Sequence, residues 1–71
     1  MNHRDRAVLR AVAAGRCVLH GAHGAVLRVD GLCCADQFAG ARLTAAGLIV
    51  AFGRTGPAQL TAAGHALLDA A

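Results

Sequence analysis

Lysine, glutamate, serine, tyrosine and tryptophan are absent from this 71-residue chain, and proline occurs once. Without serine or tyrosine hydroxyls, and without glutamate as an acid or base, the usual nucleophile and proton-transfer pairs have few members to draw on. The four acidic residues are aspartates spread over separate turns and ends, and His65 with Asp69 has the spacing of a helix-surface pair. An enzyme is therefore not expected. No run approaches the roughly 18–20 apolar residues that span a bilayer, and the opening MNHRDR is charged, unlike a signal-peptide core, so no membrane partner and a cytoplasmic location are expected. Three cysteines, two of them adjacent at Cys33 and Cys34, make a poor disulfide framework, and reduced thiols follow.

Aromatic residues are equally scarce: Phe38 and Phe52 are the only two. The apolar fraction is 56%, but much of it is alanine, which buries little area. The large residues available for a core are Val8, Leu9, Val12, Leu19, Val26, Leu27, Val29, Leu32, Phe38, Leu43, Leu48, Ile49, Val50, Phe52, Leu60, Leu67 and Leu68. A chain of this length forms one domain, residues 1–71, with a thin stability margin that a homodimer would relieve. The net charge of +3 comes from arginine alone, so a cationic partner is not expected, and the charge permits nucleic acid, an acidic protein surface or neither.

Asn2 and Asp5 favour a helix start, and the apolar spacing predicts a helix from 3 or 4 to 14, stopped by Gly15. RCVL and AVLRVD then read as the arms of a hairpin around residues 20–24, with Leu27 and Val29 on one face and Val26 and Arg28 on the other. After a turn at Asp30-Gly31, a middle helix is expected from 32 or 33 to 46, with Phe38, Ala41, Ala45 and Leu48 sharing a face with Cys34. Gly47 stops that helix, residues 48–52 form a strand, Gly53-Arg54-Thr55-Gly56 turns the chain, and residues 57–60 return beside it. Thr61 caps a final helix over 62–70. The pentapeptide LTAAG occurs at 43–47 and at 60–64, where it closes one helix and opens another, so it does not read as a structural repeat.

The segment LTAAGLIVAF…LTAAGHALL resembles the winged helix-turn-helix superfamily, in particular its MarR-like and PadR-like bacterial regulators, over the C-terminal half of the chain. The resemblance implies a small α+β winged-helix-like domain. With a single helix between hairpin and wing, the expected order is α-β-β-α-β-β-α, a reduced or atypical form. It also implies double-stranded DNA as a partner: Gln37 and Arg42 on the exposed face of the middle helix, Arg54 and Thr55 at the wing tip. Arg28 on the hairpin is added as a phosphate contact from its own position.

Two functions are thus expected as alternatives. One is a dimeric DNA-binding protein that acts by site occupancy, as a transcriptional regulator or a phage or mobile-element accessory factor. The other is a protein-interaction module, an adaptor or inhibitor, that keeps the wing without binding DNA. Cys17, His20 and His23 recur at three-residue intervals, with Cys33 and Cys34 further on, a donor set that suits zinc or copper. Against it stands the plainer reading of Cys17 and Cys34 as small core residues, and no cofactor or metal is assigned. The vicinal thiols at a helix start could sense oxidants, or could simply be two small residues in a turn.

Overall fold

The computed structural model describes residues 3–21, 26–34, 36–53 and 55–70; the expected Asn2 cap, the loop residue His23 and the wing-tip Arg54 lie outside these. The fold is α+β, with three helices and antiparallel strands. In chain order the elements are α1 (His3–Ala13), β1 (Cys17–His20), β2 (Val26–Val29), β3 (Leu32–Cys33), α2 (Ala39–Ala45), β4 (Ile49–Val50), β5 (Thr55–Pro57), β6 (Gln59–Leu60) and α3 (Ala62–Asp69). The expected hairpin is β1 with β2, in register from Cys17↔Val29 to His20↔Val26. Two strands, β3 and β5, are additional to the expected order.

β3 replaces the start of the middle helix. Asp30 and Gly31 take positive φ of 53° and 82°, turning the chain so that Leu32 and Cys33 pair back onto Val29 and Arg28. The Asp36 carboxylate then accepts the Phe38 N–H at 3.0 Å, a local side-chain bond that competes with helix. α2 accordingly begins at Ala39 and buries Ala39, Gly40 and Leu43, so the expected face of Phe38, Ala41 and Ala45 is not the buried one.

β5 changes the wing. Its arms do pair, Ile49 with Leu60 and Val50 with Gln59, but the segment between them does not simply project. Thr55, Gly56 and Pro57 fold inward and pair with His20, Leu19 and Val18, making the sheet order β3-β2-β1-β5. Ala58, where the chain crosses between the two sheets, is buried and donates to the Cys17 carbonyl at 3.0 Å.

The core joins Leu9 and Val12 of α1, Cys17 and Leu19 of β1, Leu27 of β2, Ala39 and Leu43 of α2, and Ile49 of β4. Val26, Leu32, Phe38, Val50 and Phe52, expected in the core, are exposed. The final helix is capped as expected: Thr61 has an extended backbone and its hydroxyl accepts the Gly64 N–H at 3.1 Å, while donating to the Gly47 carbonyl at 2.5 Å. The two LTAAG copies therefore meet, the end of one against the start of the other.

A different repeat organises the chain. α1 ends with Gly15 N–H to Val12 C=O and Arg16 N–H to Ala11 C=O, and α2 ends with Gly47 N–H to Thr44 C=O and Leu48 N–H to Leu43 C=O. These are two copies of the Schellman stop, with Gly15 and Gly47 at φ 77° and 74°. The same shift, 15 to 47, relates Gly21 to Gly53, both at φ 81° and both following a strand. It also superposes Arg10 on Arg42, Ala13-Ala14 on Ala45-Ala46, Val18 on Val50 and Gly24 on Gly56 in the sequence. Each half is a helix, a glycine stop and a strand that pairs with a later one, β1 with β2 and β4 with β6.

Candidate interaction surface

Side chains alternate across a sheet, and directly paired residues share a face. The inner face carries Cys17, Leu19 and Leu27 into the core. On the outer face the registers align Cys33, Arg28, Val18 and Pro57 in one row, and Val26, His20 and Thr55 in the next. Of these, Val18 and His20 on the central strand are half-buried and the others are exposed. Thr55 Oγ1 lies 3.5 Å from His20 Nδ1, at the limit of a hydrogen bond.

Two of the expected DNA-contacting residues, Arg28 and Thr55, therefore share this face. They sit on either side of β1, opposite Val18 and His20 respectively, about 12 Å apart by strand spacing and rise. Gln37 is exposed in the loop before α2. Arg42 is engaged elsewhere: its guanidinium binds the Asp36 carboxylate at 2.8 Å and the Asp5 carboxylate of α1. The hydrogen bond from Arg42, with that from the Phe38 N–H, holds the Asp36 carboxyl below the usual aspartate range, and Asp36 and Asp5 in turn raise Arg42. This clamp ties α2 to α1 and occupies the donor fork that base or phosphate recognition would use. Arg28, Thr55, Gln37 and Arg42 thus do not form one surface.

The metal-ligand spacing resolves differently. Cys17 and His20 are three residues apart on one strand, so the period of two sends Cys17 into the core and His20 to the outer face. Burial pushes the Cys17 thiol up, Asp30 and Cys34 add to the rise and Arg16 opposes it, leaving a neutral core thiol. Cys34 continues the β3 side of the ladder, its N–H bonded to the Leu27 carbonyl at 3.1 Å, while Cys33 points outward opposite Arg28. β2 lies between Cys17 and Cys34, which puts the two about 10 Å apart, beyond the reach of a disulfide. All three thiols are free, and no cluster of three or more metal-binding side chains occurs among the described residues.

Besides Arg28 on the sheet, positive charge without an ion-paired acid among the described residues is concentrated on α1. Arg16 faces Asp30 at 3.8 Å, and Asp5 and Asp36 face Arg42, whereas no acid of the described residues pairs with Arg4, Arg6 or Arg10. Arg6 and Arg10 are four residues apart, and His3 precedes Arg6 by one turn, so the three form a stripe. The sequence signal for this stripe is the like-charge spacing of Arg6 and Arg10 beside exposed alanines. Two further exposures stand out. Phe38 is 66% and Phe52 77% exposed, so both aromatics of the chain are outside the core, and Leu32 is 73% exposed. No helix of the described residues is long and apolar enough to cross a membrane. Comparisons with protein-family models, curated proteins and solved structures find no significant match.

Proposed function

We propose that the chain is a protein-interaction module of the cytoplasm that pairs with a second copy of itself and acts by occupying a surface, with no chemistry of its own. The observation that carries this reading is the exposure of both phenylalanines on a domain with few large core residues. Aromatic side chains bury about 150–250 Å² each and are enriched where interfaces are desolvated, so leaving both in water wastes the largest apolar groups the chain has. The uncovered outer sheet face, with Val26 and Pro57 beside polar His20 and Thr55, adds mixed surface of the kind found around such anchors. Sedimentation velocity across micromolar concentrations tests it. A dimer that the Phe38→Ser, Phe52→Ser double variant dissociates without loss of helical signal is expected; a wild-type monomer throughout removes the proposal.

Duplex DNA binding is the second reading, favoured by Arg28 and Thr55 standing on one sheet face. Here the expected contacts are to phosphate, with Arg54 beside Thr55 in the chain. A mobility shift that Arg28→Gln weakens would support it, and no retention of DNA by the wild type at low salt would end it.

A further inference from the structure

The internal repeat gives the α1 stripe a meaning, because Arg10 occupies in the first half the position that Arg42 occupies in the second. The backbone around the two arginines is the same, down to the Ala14 N–H on the Arg10 carbonyl and the Ala46 N–H on the Arg42 carbonyl, each 3.0 Å. Their surroundings are not. Arg42 has a carboxylate from its own half, Asp36, and one from another helix, Asp5. The residue six before Arg10 is Arg4, a cation where Arg42 has its acid. Arg10 is exposed with no acid of the described residues paired to it.

Arg6, one turn earlier, is half-buried, and its Nη1 is shut from solvent with no hydrogen-bond acceptor among the described residues. A partly desolvated guanidinium with no ion-paired acid among the described residues is costly, and an anion bound at its solvent-facing side offsets part of that cost. Like charges four apart also weaken a helix until something negative lies between them.

We infer that the outer face of α1 docks an acidic protein segment, with Arg10 and Arg6 gripping its carboxylates as Arg42 grips Asp5 and Asp36 inside the chain. The charge is complementary, and the small exposed Ala7 between the arginines, with Ala13 and Ala14 beyond Arg10, lets a partner backbone approach closely. The inference rests on the protein-interaction reading and names the partner's chemistry for a second surface, separate from the phenylalanines.

A fluorescein-labelled oligo-aspartate peptide titrated into the full chain at low salt, followed by anisotropy, tests it. Arg10→Glu is expected to weaken binding about tenfold or more, as lost charge-assisted hydrogen bonds require. Arg28→Glu, the same charge change on the outer sheet face, is expected to leave binding nearly unchanged. Arg10 is exposed, so circular dichroism is expected to match wild type; if the glutamate variant is unfolded, Arg10→Gln gives the same comparison. Equal losses from Arg10→Glu and Arg28→Glu would overturn the inference, as would no peptide binding by the wild type. Tighter binding of duplex DNA than of the peptide, with Arg10→Glu abolishing it, would reassign the stripe to nucleic acid. A dimer that persists while the peptide fails to bind would refute the α1 site and leave the self-pairing reading intact.

Discussion

Gly64→Ala tests a close approach between backbone segments in the fold. By helix propensity alone the change stabilises α3 by about 1 kcal/mol, since glycine is the poorest interior residue after proline. The structure reverses the sign. A Cβ on residue 64 would stand 2.2 Å from the Leu48 carbonyl oxygen, with the Leu48 carbonyl carbon and Leu60 Cδ2 each at 3.2 Å. An ordinary carbon–oxygen contact is roughly 3.3 Å, so the carbonyl or the helix must move by about 1 Å. The carbonyl is not free to move: it accepts the Thr61 N–H at 3.1 Å, and the Leu48 N–H completes the α2 stop at 3.0 Å. The helix must therefore lift, loosening Leu67 and Leu68, which pack on the core. Overpacking of this kind costs about 1–3 kcal/mol, and a weakened backbone hydrogen bond adds about 1. After subtracting the propensity gain, a net loss of about 1–3 kcal/mol remains, or a melting point lower by roughly 5–20 °C in a domain this small. Thermal and urea unfolding followed by circular dichroism measure it, with Ala63→Gly at the exposed neighbouring position as the propensity reference, expected to cost about 1 kcal/mol. A Gly64→Ala protein as stable as wild type, or more so, would refute the close approach of α3 to the Leu48 carbonyl just before β4.

Thr61→Ala removes both the cap of α3 and the bond to the Gly47 carbonyl, and a loss of about 1–2 kcal/mol is expected in urea unfolding, with Thr61→Ser close to wild type. Because the Asp36 carboxyl is held below its ordinary 3.8, its contribution is present above that value and disappears as pH falls through the lower folded one. The urea midpoint of the wild type should accordingly drop on acidification below about pH 4, and Asp36→Asn should flatten that drop; an unchanged acid profile in the variant counts against the clamp. Cys17 runs the other way. Its folded value is raised above the ordinary 9.0, so its stabilising effect is complete below that pH and is lost as pH rises through the folded value. Alkylation with mass-spectrometric mapping at neutral pH should mark exposed Cys33 well before Cys17, whose modification requires unfolding; equal rates would place Cys17 outside the core.

The elements legible in the sequence were those set by local chemistry. The glycine stops at Gly15 and Gly47, the Asp30-Gly31 turn, the alternating hairpin and the Thr61 cap all follow from single residues or a short period, and all are present. What escaped was set by distant partners. Residues 32–33 and 55–57 are too short to declare themselves as strands, and each exists because β2 or β1 offers an open ladder. The exposure of Phe38 follows from the Asp36 turn displacing the helix start, which rotates the buried face onto Ala39, Gly40 and Leu43. Among the site residues, Arg42 shows the same limit: its helix face was readable, but its two acids lie 6 and 37 residues away, and only folding joins them. The repeat went unread because matching positions are separated by unlike core residues, Cys17 against Ile49 and Leu19 against Ala51.

Pro57 carries a consequence for how the molecule meets its neighbours. Ala58 directs its N–H inward to Cys17, so by alternation position 57 turns its nitrogen outward, and proline has no hydrogen there to offer. The opposite rim of the sheet, β3, is only two residues long. Neither rim is a template on which another chain could extend the ladder, the usual first step toward fibres. Edge-to-edge growth of this sheet is thus blunted, and contacts through the exposed Phe38 and Phe52 would be made by side chains alone.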